Sequence, residues 1–171
     1  MRVKVVLVAV LAVLVLASGT ALAQIYGGYG APGQTAKPYV RAKVGWFFPT
    51  ESGVEGDVAF GLDYLVPRER PSLLYLSVDR LRATNDIFES TTWSLMGGAY
   101  MRGPQGFYYG AGIGAAREER DTIFGDSTDT RFAWEIAGGK MVGRNGFAEI
   151  RYRDGGSDGN RGPVICLGVM Y

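Results

Sequence analysis

Apolar residues along most of this chain recur at every second position, the period of a strand with one covered face. In KPYVRAKVGWFFP (37–49) one face carries Val40, Ala42, Val44, Trp46 and Phe48; the other carries Tyr39, Arg41, Lys43, Gly45 and Phe47. GDVAFGLDYLVP (56–67) sets Val58, Phe60, Leu62, Tyr64 and Val66 against Asp57, Ala59, Gly61, Asp63 and Leu65. SLLYLSVD (72–79) opposes Leu74, Leu76 and Val78 to Tyr75, Ser77 and Asp79. TTWSLMGGAYM (91–101) opposes Trp93, Leu95, Ala99 and Met101 to Ser94, Met96, Gly98 and Tyr100. In GFYYGAGIGAA (106–116), Phe107, Tyr109, Ala111 and Ile113 face away from Tyr108, Gly110, Gly112 and Gly114. RFAWEIAGGKM (131–141) places Phe132, Trp134 and Ile136 against Ala133, Glu135, Ala137 and Gly139, and GFAEIRYR (146–153) places Ala148, Ile150 and Tyr152 against Glu149, Arg151 and Arg153. The closing GPVICLGVMY (162–171) sets Ile165, Leu167, Val169 and Tyr171 against Val164, Cys166, Gly168 and Met170. These are eight strands, so the pattern predicts an all-β protein.

Most segments approach the roughly 9 to 11 residues that a tilted strand needs to cross a bilayer. Their connections alternate in length. PRERP, RGPQG and GRN are short, whereas REERDTIFGDSTDT (117–130) and DGGSDGNRG (154–162) are long and read as loops. Short turns at one end and long loops at the other fit an outer-membrane barrel with periplasmic turns, and an even strand count returns both termini to that side. Walking up and down alternate strands, the aromatics of the apolar face form two tiers. Trp46, Phe48, Phe60, Trp93, Phe132 and Trp134 lie toward the long loops; Tyr64, Phe107, Tyr109 and Tyr171 lie toward the short turns. Two aromatic girdles flanking an aliphatic band match the two interfaces of a bilayer.

Composition adds a location and removes several chemistries. Two cations (Arg2, Lys4), an apolar run from Val5 to Ala17 and the small-residue site Ala21-Leu22-Ala23 read as a secretory signal peptide over 1–23. The mature chain is then expected to have a periplasmic N-terminal segment (24–37) followed by a barrel domain (38–171). With Arg2 and Lys4 removed, 16 basic residues face 17 acidic ones, a charge of −1 that gives no footing for nucleic acid. Histidine is absent, which removes the commonest acid–base group and metal ligand. Cys166 is the single cysteine, so no intramolecular disulfide forms. After Gln24 no apolar run reaches the roughly 18 residues of a membrane helix. No catalytic, cofactor-binding or metal-binding set is therefore assigned.

The segments GFYYGAGIGAA, FAWEIAGGKM, FAEIRYR and the terminal VICLGVMY resemble matching parts of the small eight-stranded outer-membrane barrel proteins, the group containing outer-membrane proteins A and W. The resemblance implies an antiparallel up-and-down transmembrane β-barrel in the outer membrane, non-enzymatic and monomeric. It also implies contact with lipopolysaccharide and with the barrel assembly machinery, which reads a last strand ending in an aromatic. Ile165, Leu167, Val169 and Tyr171 match that signal, with Tyr where Phe is more usual. The role implied is outer-membrane integrity, with surface contact or slow small-solute passage in addition. Two alternatives stay open: an exported lipocalin-type carrier of an apolar ligand, with the apolar face turned inward, and a transporter of hydrophobic compounds of the outer-membrane protein W type.

Eight strands leave an interior only wide enough for side chains. The inward face holds Arg41, Lys43, Asp63, Asp79, Glu135, Glu149, Arg151 and Arg153, which read as a salt-bridged plug, the alternative being a gated ion path. Phe48 opposite Val58 would place Lys43 opposite Asp63, and Met170 should face a polar lumen. An odd-length turn around Arg144-Asn145 keeps Trp134 on the lipid face, whereas a two-residue turn would put it inside. Gly110, Gly112 and Ala115 satisfy a loose dinucleotide fingerprint but sit inside a strand pattern rather than between a strand and a helix. Asp121, Asp126, Asp129 and Asp158 do not follow the spacing of a calcium loop.

Overall fold

The structure is a computed structural model that describes residues 37–68, 72–156 and 160–171; the expected leader and nearly all of the N-terminal segment fall outside these. Its strands are β1 (Tyr39–Phe47), β2 (Glu55–Gly56), β3 (Val58–Pro67), β4 (Ser72–Thr84), β5 (Phe88–Arg102), β6 (Phe107–Thr122), β7 (Gly125–Val142), β8 (Gly146–Asp154) and β9 (Arg161–Met170). All but β2 pair antiparallel with their neighbours in sequence, and β9 returns to β1, with Arg41 opposite Met170 and Phe47 opposite Val164. The result is a closed eight-stranded up-and-down barrel. Closure matters because every strand of the ring then finds backbone partners on both sides, leaving no edge within its wall. Two further backbone bonds between Val40 and Tyr171, of 3.1 and 2.9 Å, extend the seam to the last residue. The short β2 lies on the end of β4, Glu55 opposite Thr84.

The alternation sorts the side chains as the sequence implies, with one inversion relative to a water-soluble barrel. Polar and charged groups are buried inside, while Leu62, Leu76, Leu95, Ile113, Ile136, Ile150 and Ile165 are exposed on the outer wall. Two apolar clusters occupy the lumen. Leu65, Leu73, Tyr100, Phe147 and Met170 pack near the short turns, and Phe47, Ala59, Leu81 and Val164 pack toward the other end. Met170 thus faces an apolar cap, not a polar lumen, because charges on eight strands converge only at mid-height.

Two further expectations are corrected. In the β1–β3 hairpin Trp46, not Phe48, is opposite Val58, so Arg41 faces Asp63 and Lys43 faces Gly61. Phe48 instead donates its N–H to Pro163 on the β9 side. The register shift is two residues, and because the side-chain period is two it leaves every face unchanged. The stretch 117–130 is not a loop: β6 and β7 pair up to Thr122 opposite Gly125, leaving Ile123 and Phe124 as the turn. Likewise β4 and β5 pair up to Thr84 opposite Glu89, and Asn85 Oδ1 caps the turn by accepting from Ile87 and Phe88 N–H at 2.9 and 2.8 Å. Strands β4 to β7 are longer than the other four of the ring and rise from one side of the barrel as a sheet. At the other end, Val142 opposite Gly146 makes the turn three residues, and Trp134 points outward opposite Asp154.

Candidate functional site: a sealed charge plug

All eight charged residues singled out for the lumen come together at mid-barrel, each no more than 7% exposed. Four cations and four anions make the set neutral. Arg151, from β8, is the hub: its guanidinium lies 3.0 Å from Glu135, 2.8 Å from Glu149 and 3.3 Å from Asp79. Arg153 bridges Glu135 and Asp79, each at 2.5 Å, and donates to Ser94 Oγ. Arg41 grips Asp63 through Nε (3.0 Å) and Nη2 (2.5 Å) and reaches Glu149 at 3.3 Å. Lys43 Nζ sits between Asp63 (2.6 Å) and Asp79 (2.8 Å). The Lys43–Asp63 contact therefore exists despite the corrected register, made diagonally because the long lysine stem crosses toward the next row.

Parity alone did not reveal a second layer of partners. Tyr75 donates to Glu135 at 2.7 Å and Tyr108 to Glu149 at 3.0 Å, while Tyr100 OH accepts from Arg41 (3.0 Å) and Arg151 (2.7 Å). Ser77 donates to Asp79 at 2.6 Å. The tyrosine rings also pack together, Tyr75 stacked on Tyr100 at 4.4 Å between centroids. These hydroxyls fill the donor and acceptor positions that the ion pairs leave open, which a buried charge requires to be tolerated. Glycines make the room, Gly61 and Gly112 among them. A Cβ on Gly61 would lie 2.0 Å from Asp79 Oδ1 and 2.3 Å from Lys43 Cε, and one on Gly112 would lie 2.1 Å from the Tyr75 hydroxyl.

The plug leaves almost no space. The cavity beside Lys43, Asp79, Arg151 and Arg153 measures about 10 Å³, near the minimum for a single water. This arrangement holds charges against one another; it offers no open nucleophile, and no group of three metal-ligating side chains occurs among the described residues. Gly110, Gly112 and Ala115 lie within β6, a strand of the barrel wall with no helix after it.

The girdle residues Phe48, Phe60, Tyr64, Trp93, Phe107, Tyr109, Phe132, Trp134 and Tyr171 are exposed on the outer wall, and Trp46 is half-buried. Phe60 and Trp93 flank Arg80 in one cross-strand row, and the next row toward the turns is Val78, Leu95, Ala115 and Phe132. Of the last-strand residues, Ile165 and Tyr171 are exposed, while Leu167 and Val169 are half-buried.

No family model matches the chain, and no curated protein matches it by sequence. Among solved structures, Neisserial surface protein A is similar over 78% of this chain and 95% of its own, with 20% identity and a TM-score of 0.58. The fold is that of the small eight-stranded outer-membrane barrels. The attachment invasion locus protein Ail of Yersinia pestis is similar too. In complex with the heparin analogue sucrose octasulfate it shares 15% identity over 78% of this chain and 97% of its own, with a TM-score of 0.53. In a phospholipid bilayer nanodisc the figures are 16%, 79% and 99%, with a TM-score of 0.52. At these identities what the chain shares with the outer-membrane barrels is the fold.

On the protruding sheet, near the β6–β7 turn, Asp121 and Asp126 are cross-strand partners. The Asp121 carboxyl is pushed above the ordinary range by its hydrogen bond to Asp126, then by that neighbour's charge. Asp129 is held below it by the hydrogen bond from Arg131. Asp158 falls outside the described residues.

Proposed function

We propose that this protein is a non-enzymatic integral barrel of the outer membrane of a double-membraned bacterium, contributing to membrane integrity with its lumen closed at rest. The observation that carries this reading is the inversion of the barrel: a neutral, hydrogen-bonded charge set inside and an apolar wall outside. A lipocalin-type carrier needs the opposite sidedness, since its ligand must meet an apolar interior. Passage of solute through the lumen would require the plug to be dismantled, which argues for a structural rather than a conducting role.

In this reading the protruding β4–β7 sheet stands outside the cell, and lipopolysaccharide surrounds the barrel. Arg80, over the Trp93 ring at 5.9 Å, and Arg117 share a row directly above the apolar belt. That is the level at which anionic lipid headgroups lie, and guanidinium groups suit phosphate. Ile165, Leu167, Val169 and Tyr171 act as the address read by the barrel assembly machinery before they meet lipid. The test is fractionation followed by gel mobility of boiled and unboiled samples. The protein should sediment with outer membrane and migrate differently when kept folded. A detergent-free soluble protein with one mobility would refute the reading.

A further inference from the structure

Above the plug, the inner face of the protruding sheet continues the alternation of the lumen. Successive inward rows hold Ser94, Ala116 and Arg131, then Thr92, Glu118 and Asp129, then Ser90, Arg120 and Ser127. Together with Gly156 of the β8–β9 connection, part of this face encloses an open recess of about 440 Å³, lined by Glu118, Arg120, Ser127, Asp129 and Arg131. That volume lies within the range of roughly 300–1,000 Å³ typical of small-molecule sites.

The chemistry of the lining is specific. Arg120 holds Glu118 through Nε at 3.2 Å and Nη2 at 2.9 Å, both on the single oxygen Oε1. Arg131 donates to Asp129 at 2.7 Å and to the Gly156 carbonyl. The recess thus carries two cations and two anions, fixed as pairs, and is neutral. An anion entering it meets Glu118 and Asp129; a metal ion meets Arg120 and Arg131. A ligand that both donates and accepts hydrogen bonds without net charge meets neither penalty, and adjacent hydroxyls match the forked geometry of guanidinium and carboxylate. Two buried oxygens at this end of the barrel, neither of them in the recess lining, also lack protein partners: Ser90 Oγ, cross-strand from Arg120, and Asn160 Oδ1, against Gly155. Each residue is only 1% exposed, and buried polar atoms left unpaired are uncommon in folded proteins.

We propose that this recess binds a neutral polyhydroxylated ligand, a saccharide of one or two sugar units. The site itself stands on its own geometry; only its access from outside the cell rests on the orientation proposed above. The test uses the full chain purified in lauryldimethylamine oxide, a detergent without a sugar headgroup, on an array of neutral and sulfated glycans, with calorimetric titration of the retained glycans. At least one neutral glycan should bind, and Asp129→Asn and Arg131→Gln should each weaken it tenfold or more while heat-modifiable mobility stays unchanged. Glu89→Gln, on the outward face of the same sheet, should not weaken it. Competition by oligosaccharide released from lipopolysaccharide would identify a neighbouring lipid as the source; its failure would point to a free or foreign glycan, with the site intact in both cases. Retention of sulfated glycans alone, no retained neutral glycan, or binding indifferent to Asp129→Asn and Arg131→Gln would overturn the proposal. Binding by the purified protein but not by intact cells would uphold the recess and refute the outward orientation.

Discussion

Replacing Arg151 by Met removes the hub of the plug while keeping most of its volume. Glu149 then keeps Arg41 at 3.3 Å and Glu135 keeps Arg153 at 2.5 Å, but four carboxylates are left facing three cations. Breaking a buried ion pair by deleting one partner costs about 3–5 kcal/mol, because the surviving charge has no water to return to. Arg151 touches Asp79, Glu135 and Glu149 and donates to Tyr100, so its loss belongs at the upper end of that range. Lys43→Met should cost less, since Asp63 retains Arg41 and Asp79 retains Arg153, both at 2.5 Å. Adding Glu149→Leu to Arg151→Met restores neutrality, so the two changes should couple by about 0.5–3 kcal/mol in the favourable direction. The assay is urea unfolding in lipid vesicles followed by tryptophan fluorescence, which reports on the outer wall because Trp93 and Trp134 are exposed there. Additive costs, or an Arg151→Met protein within about 0.5 kcal/mol of native, would mean that water reaches the charges and the lumen is not sealed.

Gly112→Ala should displace the Tyr75 hydroxyl from Glu135 and cost about 1–3 kcal/mol in the same assay, since the added Cβ would sit 2.1 Å from that oxygen. Tyr171→Asp should leave an exported but unassembled protein by heat-modifiable mobility, Tyr171→Phe should assemble normally, and Met170→Ser should assemble yet lose about 2 kcal/mol or more, because Met170 packs in the apolar cap. The Asp121 carboxyl should titrate above the ordinary Asp range by NMR and fall toward it in Asp126→Asn. A carboxyl raised in the folded state binds more protons there than in the unfolded chain, so its contribution to the hairpin is present at low pH and lost as pH rises through the folded value. Asp121 titrating identically in both proteins would contradict the shared hydrogen bond.

The two faces of the barrel were legible because a period of two survives any even change of register. Lys43 and Asp63 show the other side of that property: a two-residue shift is invisible to the pattern, so the sequence supported the wrong cross-strand neighbour while keeping the right face. The plug's membership was readable from parity, but its wiring was not. Asp79 meets Arg153 only because the ring closes, and nothing local to either residue marks a contact 74 positions apart. The tyrosine hydroxyls were missed for a related reason, since Tyr75, Tyr100 and Tyr108 read as inward bulk until their carboxylate partners are placed. Residues 117–130 read as a loop because both faces are polar, which is also what a strand looks like when water meets each side. The apolar caps around Phe47 and Met170 were hidden by the expectation of a uniformly polar lumen.

This barrel is inside out with respect to a soluble one, with charges inside and an apolar wall outside. Single nitroxide labels placed in a Cys166→Ser background at Leu76, Leu95, Ile136 and Ile150, and at the inward neighbours Ser77, Met96, Ala137 and Ser94, test it residue by residue in vesicles. Labels at the first four should be relaxed by membrane-dissolved oxygen and those at the second four should not, alternating with a period of two along β4, β5 and β7. The reverse alternation, or equal access to a water-soluble nickel complex at Leu76 and Ser77, would contradict it.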